Sequence, residues 1–157
     1  MFLFFYGCWG AFHQDAFVLV DGANLLFHEA GHVFFHFLGE YAGIWGGTLL
    51  QLLIPFTIAL GFLKHRDVYA ACIMFYWAGE NMFSISRYIK DARAQVLPYV
   101  GGEIHDWFYI LSRAGWLQHD QLIGNTVWIL GFLIMMGMAV SAAFNRIPAP
   151  GEANASF

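Results

Sequence analysis

The chain has 157 residues, a net charge of −4, and 11% charged against 59% hydrophobic side chains, with 17 Phe and 6 Trp. A soluble domain carries about 25% charge, so this composition belongs to a membrane protein. The length accommodates one compact helical bundle and no separate soluble domain, and the absence of a basic patch excludes nucleic acid as a partner.

Taken in chain order, Met1 to Phe12 is apolar but too short to span a bilayer alone, and it lacks the basic flank and small-residue cleavage site of a secretory signal. It reads as an interfacial or half-helical piece. Ala16 to Leu38 is the first full helix, with Asp21-Gly22 either kinking it or marking its start, and Gly39 and Gly43 bracket a tight turn. Gly43 to Leu63 follows as a span with Pro55 inside it. Tyr41 to Leu63 and Gln121 to Asn145 are both free of formal charge and long enough to cross a membrane.

Asp67 is placed to cap a third helix running to about Lys90. A mixed connection from Asp91 to Asp120 then contains Pro98, Gly101-Gly102 and a short helix over Ile104 to Ala114, lying on the membrane or re-entering it. Gln121 to Asn145 is the last span. The predicted fold is therefore all-α and polytopic, with about four transmembrane helices plus one or two interfacial or re-entrant ones. Residues 1–146 form a single domain and 147–157 a disordered tail. Lys64, Arg66 and Arg146 fall on one side and Arg87, Lys90, Arg93 and Arg113 on the other, which leaves orientation open. Cys8 and Cys72, far apart in apolar segments, read as free thiols.

The chemistry concentrates in the first full helix, at His28-Glu29-Ala30-Gly31-His32. Residues four apart share a helix face, so His28 and His32 can hold one zinc ion, with Glu29 beside it to take a proton from water. Asn24, His28, His32, His36 and Glu40 recur every fourth residue and wind a polar stripe along an otherwise apolar helix. Ionisable groups at membrane depth cost several kcal/mol unless paired, protonated or bound to an ion. His36 reads as a structural or supporting residue. A catalytic zinc needs a third protein ligand, and the candidates, in order, are His105 and Asp91, then Asp106, then Glu80. Asp106 is also placed to cap the short helix, and Asp91 to pair with Arg87 or Arg93.

HEAGH on an apolar helix followed by GIWGGTLLQLLIP resembles the intramembrane zinc metalloproteases of the site-2 protease type. The resemblance covers about a third of the chain, with His28, Glu29 and His32 on the matching positions. It implies a zinc-dependent peptidase in which Glu29 activates water and an aspartate from a later transmembrane helix completes the metal site. That aspartate normally lies in an Asn-Pro-x-x-Asp-Gly or Leu-Asp-Gly setting, whereas Asp91 precedes Ala92. The wider set HEAGH, GGTLLQLLIP, YIKDARAQVLP and GGEIHDW resembles a group of bacterial integral membrane proteins without an assigned activity, which implies residence in a bacterial inner membrane.

Two functions stand side by side. One is a membrane-embedded zinc hydrolase acting on a transmembrane or membrane-bound protein. The other is a non-catalytic subunit of a larger respiratory or photosynthetic complex, a degenerate metalloprotease included. In it, His28, His32 or His36 would be structural or would ligate a haem or chlorophyll-type pigment. A di-iron membrane oxidase needs about eight nitrogen ligands at one surface, and seven histidines spread over several elements do not supply them.

Overall fold

The computed structural model describes residues 5, 6, 8, 9, 13, 19–97 and 104–145. The interfacial piece at the N-terminus falls largely outside these residues, as does the tail after Arg146. Among the described residues the chain is all-helical, with helices α1 (Leu19–Phe35), α2 (Glu40–Lys64), α3 (Val68–Lys90), α4 (Asp106–Ala114) and α5 (Asp120–Phe144), and 3-10 turns at His36–Leu38 and Leu117–His119. Among the described residues, two segments are long and apolar enough to cross a membrane, α2 and the stretch Leu117–Phe144 that contains α5. The expectation of four spans is met in these two only. α1 is 17 residues long, and α3 carries Glu80, Arg87 and Lys90.

Gly39 makes the turn between α1 and α2. Its φ of +105° lies where a side chain is strained, and it serves as the residue before the first turn of α2. The helix therefore begins at Glu40, three residues earlier than the sequence places it, and Gly43 lies buried inside α2. α1 and α2 pack antiparallel in close backbone contact. A Cβ on Gly31 would collide with the Gly46 backbone, and one on Gly46 with that of Gly31. Small residues at a crossing allow this approach, which brings the polar stripe of α1 directly onto α2.

Asp67 caps α3 as expected, its carboxylate accepting the Ala70 N–H at 2.9 Å. The most extensive packing joins α3 to α5 through a second set of small residues. A Cβ on Gly79 would lie 2.8 Å from the Gly131 carbonyl oxygen, and one on Gly131 would lie 2.7 Å from that of Gly79. One heptad away the Ser86 hydroxyl donates to the Gly124 carbonyl at 2.7 Å. At one edge of this pair, Cys72 is buried with its thiol 3.3 Å from the Ser141 hydroxyl, and both Cys8 and Cys72 are free thiols.

α4 closes one end of the bundle. Its Trp107, Ile110 and Leu111 pack with Ile44 of α2 and with Ile85 and Ile89 of α3, and this cluster ties three helices together. Its opposite face, Phe108, Ser112 and Arg113, is exposed, the amphipathic pattern of a helix lying across a surface. Gly115, at φ +71°, ends it. The loop leading out of α3 is pinned to the start of α5 by Arg93, whose guanidinium grips the buried Asp120 carboxylate with two contacts of 2.7 Å.

Candidate metal centre

The face of α1 that meets α2 and α4 carries His28 and His32. Their imidazoles stand 4.8 Å apart, nearly perpendicular at 85°. Room for both rings comes from Gly47 on α2. A Cβ there would lie 2.7 Å from His28 Cε1, 2.8 Å from His28 Nε2 and 2.8 Å from His32 Cε1. The glycine pair at 46–47 thus has two separate tasks, one backbone contact and one floor beneath the imidazoles.

Each ring nitrogen has an assigned partner. His28 Nδ1 lies 3.3 Å from Gln51 Oε1, and His32 Nδ1 lies 2.9 Å from the Gly43 carbonyl oxygen. Both partners are acceptors, so in the neutral ring the proton resides on Nδ1 and Nε2 is the nitrogen open to a metal. The two Nε2 atoms converge on one carboxylate oxygen, Asp106 Oδ2, at 2.9 Å from His28 and 3.1 Å from His32. Three such atoms facing one another need a proton or a metal ion between them. Ligand atoms around a tetrahedral zinc, with bonds of 2.0–2.1 Å, stand about 3.3 Å apart. The observed separations come within a few tenths of an ångström of that value, so the donor set fits a zinc ion. Glu29 belongs to the same group, since the ligand atoms of His28, Glu29 and His32 lie within 4.8 Å of one another.

Asp106 is the first residue of α4, and the structure brings it, not His105 or Asp91, to the two histidines. His105 is the residue that caps α4, its Nδ1 accepting the Phe108 N–H at 3.2 Å. Its Nε2 faces Asp91 Oδ2 at 3.3 Å. The two residues ranked first from sequence as third ligands therefore engage each other, and the physical reason is the cap. Once His105 fills it, the Asp106 carboxylate is free to point inward. Burial alone would raise the Asp106 carboxyl, but hydrogen bonds donated by His28 and His32 when a proton occupies their Nε2 atoms hold it below the ordinary carboxylate range. Burial pushes His105 down, a shift that Asp91 opposes.

Glu80, the remaining candidate, is buried on α3 and accepts a hydrogen bond from Asn24 Nδ2 at 2.9 Å, while the Asn24 carbonyl accepts the Trp77 indole N–H at 2.9 Å. This network lies one turn up the polar stripe from His28 and leaves Glu80 outside the metal group. His36 sits in the exposed 3-10 turn, and His13, His65 and His119 are exposed on other elements. None of these residues joins the group of His28, Glu29 and His32 that Asp106 faces.

Sequence reasoning missed Gln51, Gly47 and Tyr88. Gln51 had a usable signal, since it is an amide inside the charge-free run 41–63 and needs a partner there. Tyr88 had none. Its hydroxyl accepts the Asp106 N–H at 3.2 Å, and its ring lies between His105, 4.1 Å away, and His28, 5.8 Å away. No protein-family model, curated protein or solved structure matches this chain.

Proposed function

We propose that the protein is a membrane-embedded zinc-dependent hydrolase, a peptidase acting on membrane-bound protein substrates, with zinc held by His28, His32 and Asp106. The observation that carries this reading is the convergence of His28 Nε2, His32 Nε2 and Asp106 Oδ2 while both Nδ1 atoms are tied to fixed acceptors. A zinc ion in this setting supplies Lewis acidity to a water and to a scissile carbonyl. Glu29 then acts as the general base, its carboxylate taking the proton from that water and returning it to the leaving amine. Water and substrate reach the centre from the His32 side. His32 occupies the last turn of α1, and its side chain is 27% exposed against 10% for His28.

Membrane placement is supported by α2, by α5, and by the outward side chains of α5, where Leu122, Ile129, Leu133, Val140 and Phe144 are all exposed. We place α1 and α3 in the bilayer with them, so that the polar stripe is enclosed by the other helices.

The test is metal analysis of purified protein. Wild type is expected to hold near-stoichiometric zinc, lost in His28→Ala and in Asp106→Asn. Glu29→Gln is expected to keep zinc while hydrolysis of a membrane-anchored reporter peptide falls by at least about a hundredfold. Wild-type protein free of zinc after reconstitution with the metal overturns the proposal.

One observation favours a second reading, a subunit of a larger membrane complex. The outer face of α1 exposes Leu26, Val33 and Phe34 on the very helix that carries the site, and Phe37 is exposed in the turn that follows. Co-purification in mild detergent at fixed stoichiometry with other membrane proteins supports that reading, and a zinc-loaded monomer argues against it.

A further inference from the structure

We propose that Asp91 and His105 form a positioning pair that sets the Asp106 carboxylate at the metal centre, an inference that rests on the zinc reading above. Asp106 is the opening residue of a nine-residue helix, so the direction of its side chain is decided by how that helix begins. The first turn of any helix leaves backbone N–H groups without intrahelical partners. Here the Asp106 N–H goes to the Tyr88 hydroxyl at 3.2 Å and the Phe108 N–H to His105 Nδ1 at 3.2 Å. With both donors satisfied by other residues, the Asp106 carboxylate is not drawn back to cap its own helix.

His105 can serve this way only in one tautomer. Its Nδ1 accepts, so the proton resides on Nε2, which faces Asp91 Oδ2 at 3.3 Å. Asp91 in turn is anchored where α3 ends. Its Oδ1 accepts the Val96 N–H at 3.0 Å and its Oδ2 the Leu97 N–H at 3.1 Å. A connected path therefore runs from the end of α3 through Asp91 and His105 to the start of α4 and on to Asp106. Both members are buried, His105 with 2% and Asp91 with 6% of its surface exposed. A polar pair held away from water is costly unless close geometry and further hydrogen bonds offset its desolvation, and partners that orient metal ligands typically contribute 10–100-fold in metal affinity.

The experiment measures zinc dissociation constants of full-length protein in detergent by competition with a chromophoric chelator. Visible absorption of the cobalt(II)-loaded protein reports the ligand geometry. Wild type and Asp106→Asn set the scale. His105→Ala is expected to weaken zinc by about 10–100-fold and to alter the cobalt spectrum. His105→Asn supplies a side-chain oxygen suited to the same cap, and is expected to stay within about threefold of wild type.

Two results overturn the pair. His105→Ala with wild-type affinity and only a lower thermal midpoint makes the role purely structural. Equal loss in His105→Ala, His105→Asn and His28→Ala makes His105 a ligand. If His105→Ala does not fold, Asp91→Asn carries the test, with a weakening of about tenfold expected and wild-type affinity overturning the inference. A wild-type protein that binds no zinc defeats the hydrolase reading itself, whereas zinc-loaded wild type with an indifferent His105→Ala defeats the pair alone.

Discussion

Gly47→Ala perturbs the metal centre without touching a ligand, and its cost can be worked from the geometry. The added Cβ would stand 2.7–2.8 Å from three imidazole atoms, whereas ordinary contact begins at 3.4 Å, so the rings must retreat by about 0.6–0.7 Å. Moving the helices apart to make room would give up the close Gly31–Gly46 backbone contact. Overpacking of this kind costs about 1–3 kcal/mol, and 1.4 kcal/mol is tenfold in an equilibrium constant. In the metal-free protein the imidazoles can swing aside and escape most of that cost, but in the zinc-bound protein they cannot. The penalty therefore falls on affinity, with zinc binding weakened roughly 5- to 150-fold and the thermal midpoint of the metal-free protein nearly unchanged. Chelator competition and a thermal melt of the same samples measure the two quantities. Gly61→Ala, on the same helix with open space around it, is the control and leaves zinc binding unaltered. A Gly47→Ala protein with wild-type zinc affinity refutes the placement of the two imidazoles against α2.

Gln51→Leu removes the acceptor at His28 Nδ1 and releases the tautomer. Zinc affinity is expected to fall about 10–100-fold with the fold intact, as checked by chelator competition and circular dichroism. Gly131→Val places a branched side chain against the Gly79 carbonyl and Met82; the α3–α5 seam is expected to lose about 1–3 kcal/mol, read as a lower thermal midpoint with little change in zinc affinity. Zinc binding should strengthen with rising pH, since protons compete with the metal for the coordinating nitrogens. Asp106 adds little to that dependence near neutral pH. Its carboxyl is held below the ordinary range, so the stability it contributes is present above the unfolded carboxyl value and is lost only as pH falls through the lower folded one. A zinc titration series from pH 5 to 8 in which affinity falls as pH rises contradicts this assignment.

Much of the fold was legible because the dominant signals were local. Charge-free runs at 41–63 and 121–145 gave α2 and α5, Asp67 announced the start of α3, and the short helix near 104–114 appeared within two residues of its observed start. The turn at Gly39 and Gly43 was half right. Both glycines are there for backbone reasons, but only Gly39 needs a positive φ, while Gly43 lends its carbonyl to His32. The α3–α5 seam was not legible. Gly79, Ser86, Gly124 and Gly131 are unremarkable in a chain with 17 glycines, and their pairing depends on which helices become neighbours.

The site divided along the same line. His28, Glu29 and His32 could be read because one helix fixes their relation. The third ligand could not, because it turns on a contest between adjacent residues at a helix start. Intrinsic preference favours aspartate over histidine as a cap, which would assign Asp106 to the helix and His105 to the metal. The contest is reversed by Asp91, fourteen residues earlier and fixed by the loop leaving α3. Its carboxylate faces His105 Nε2, so the proton settles there and Nδ1 is left to accept the Phe108 N–H. Tyr88 takes the Asp106 N–H from the other side. Three residues from two parts of the chain thus decide which of two neighbours meets His28 and His32, and no pattern within the segment GGEIHDW carries that information.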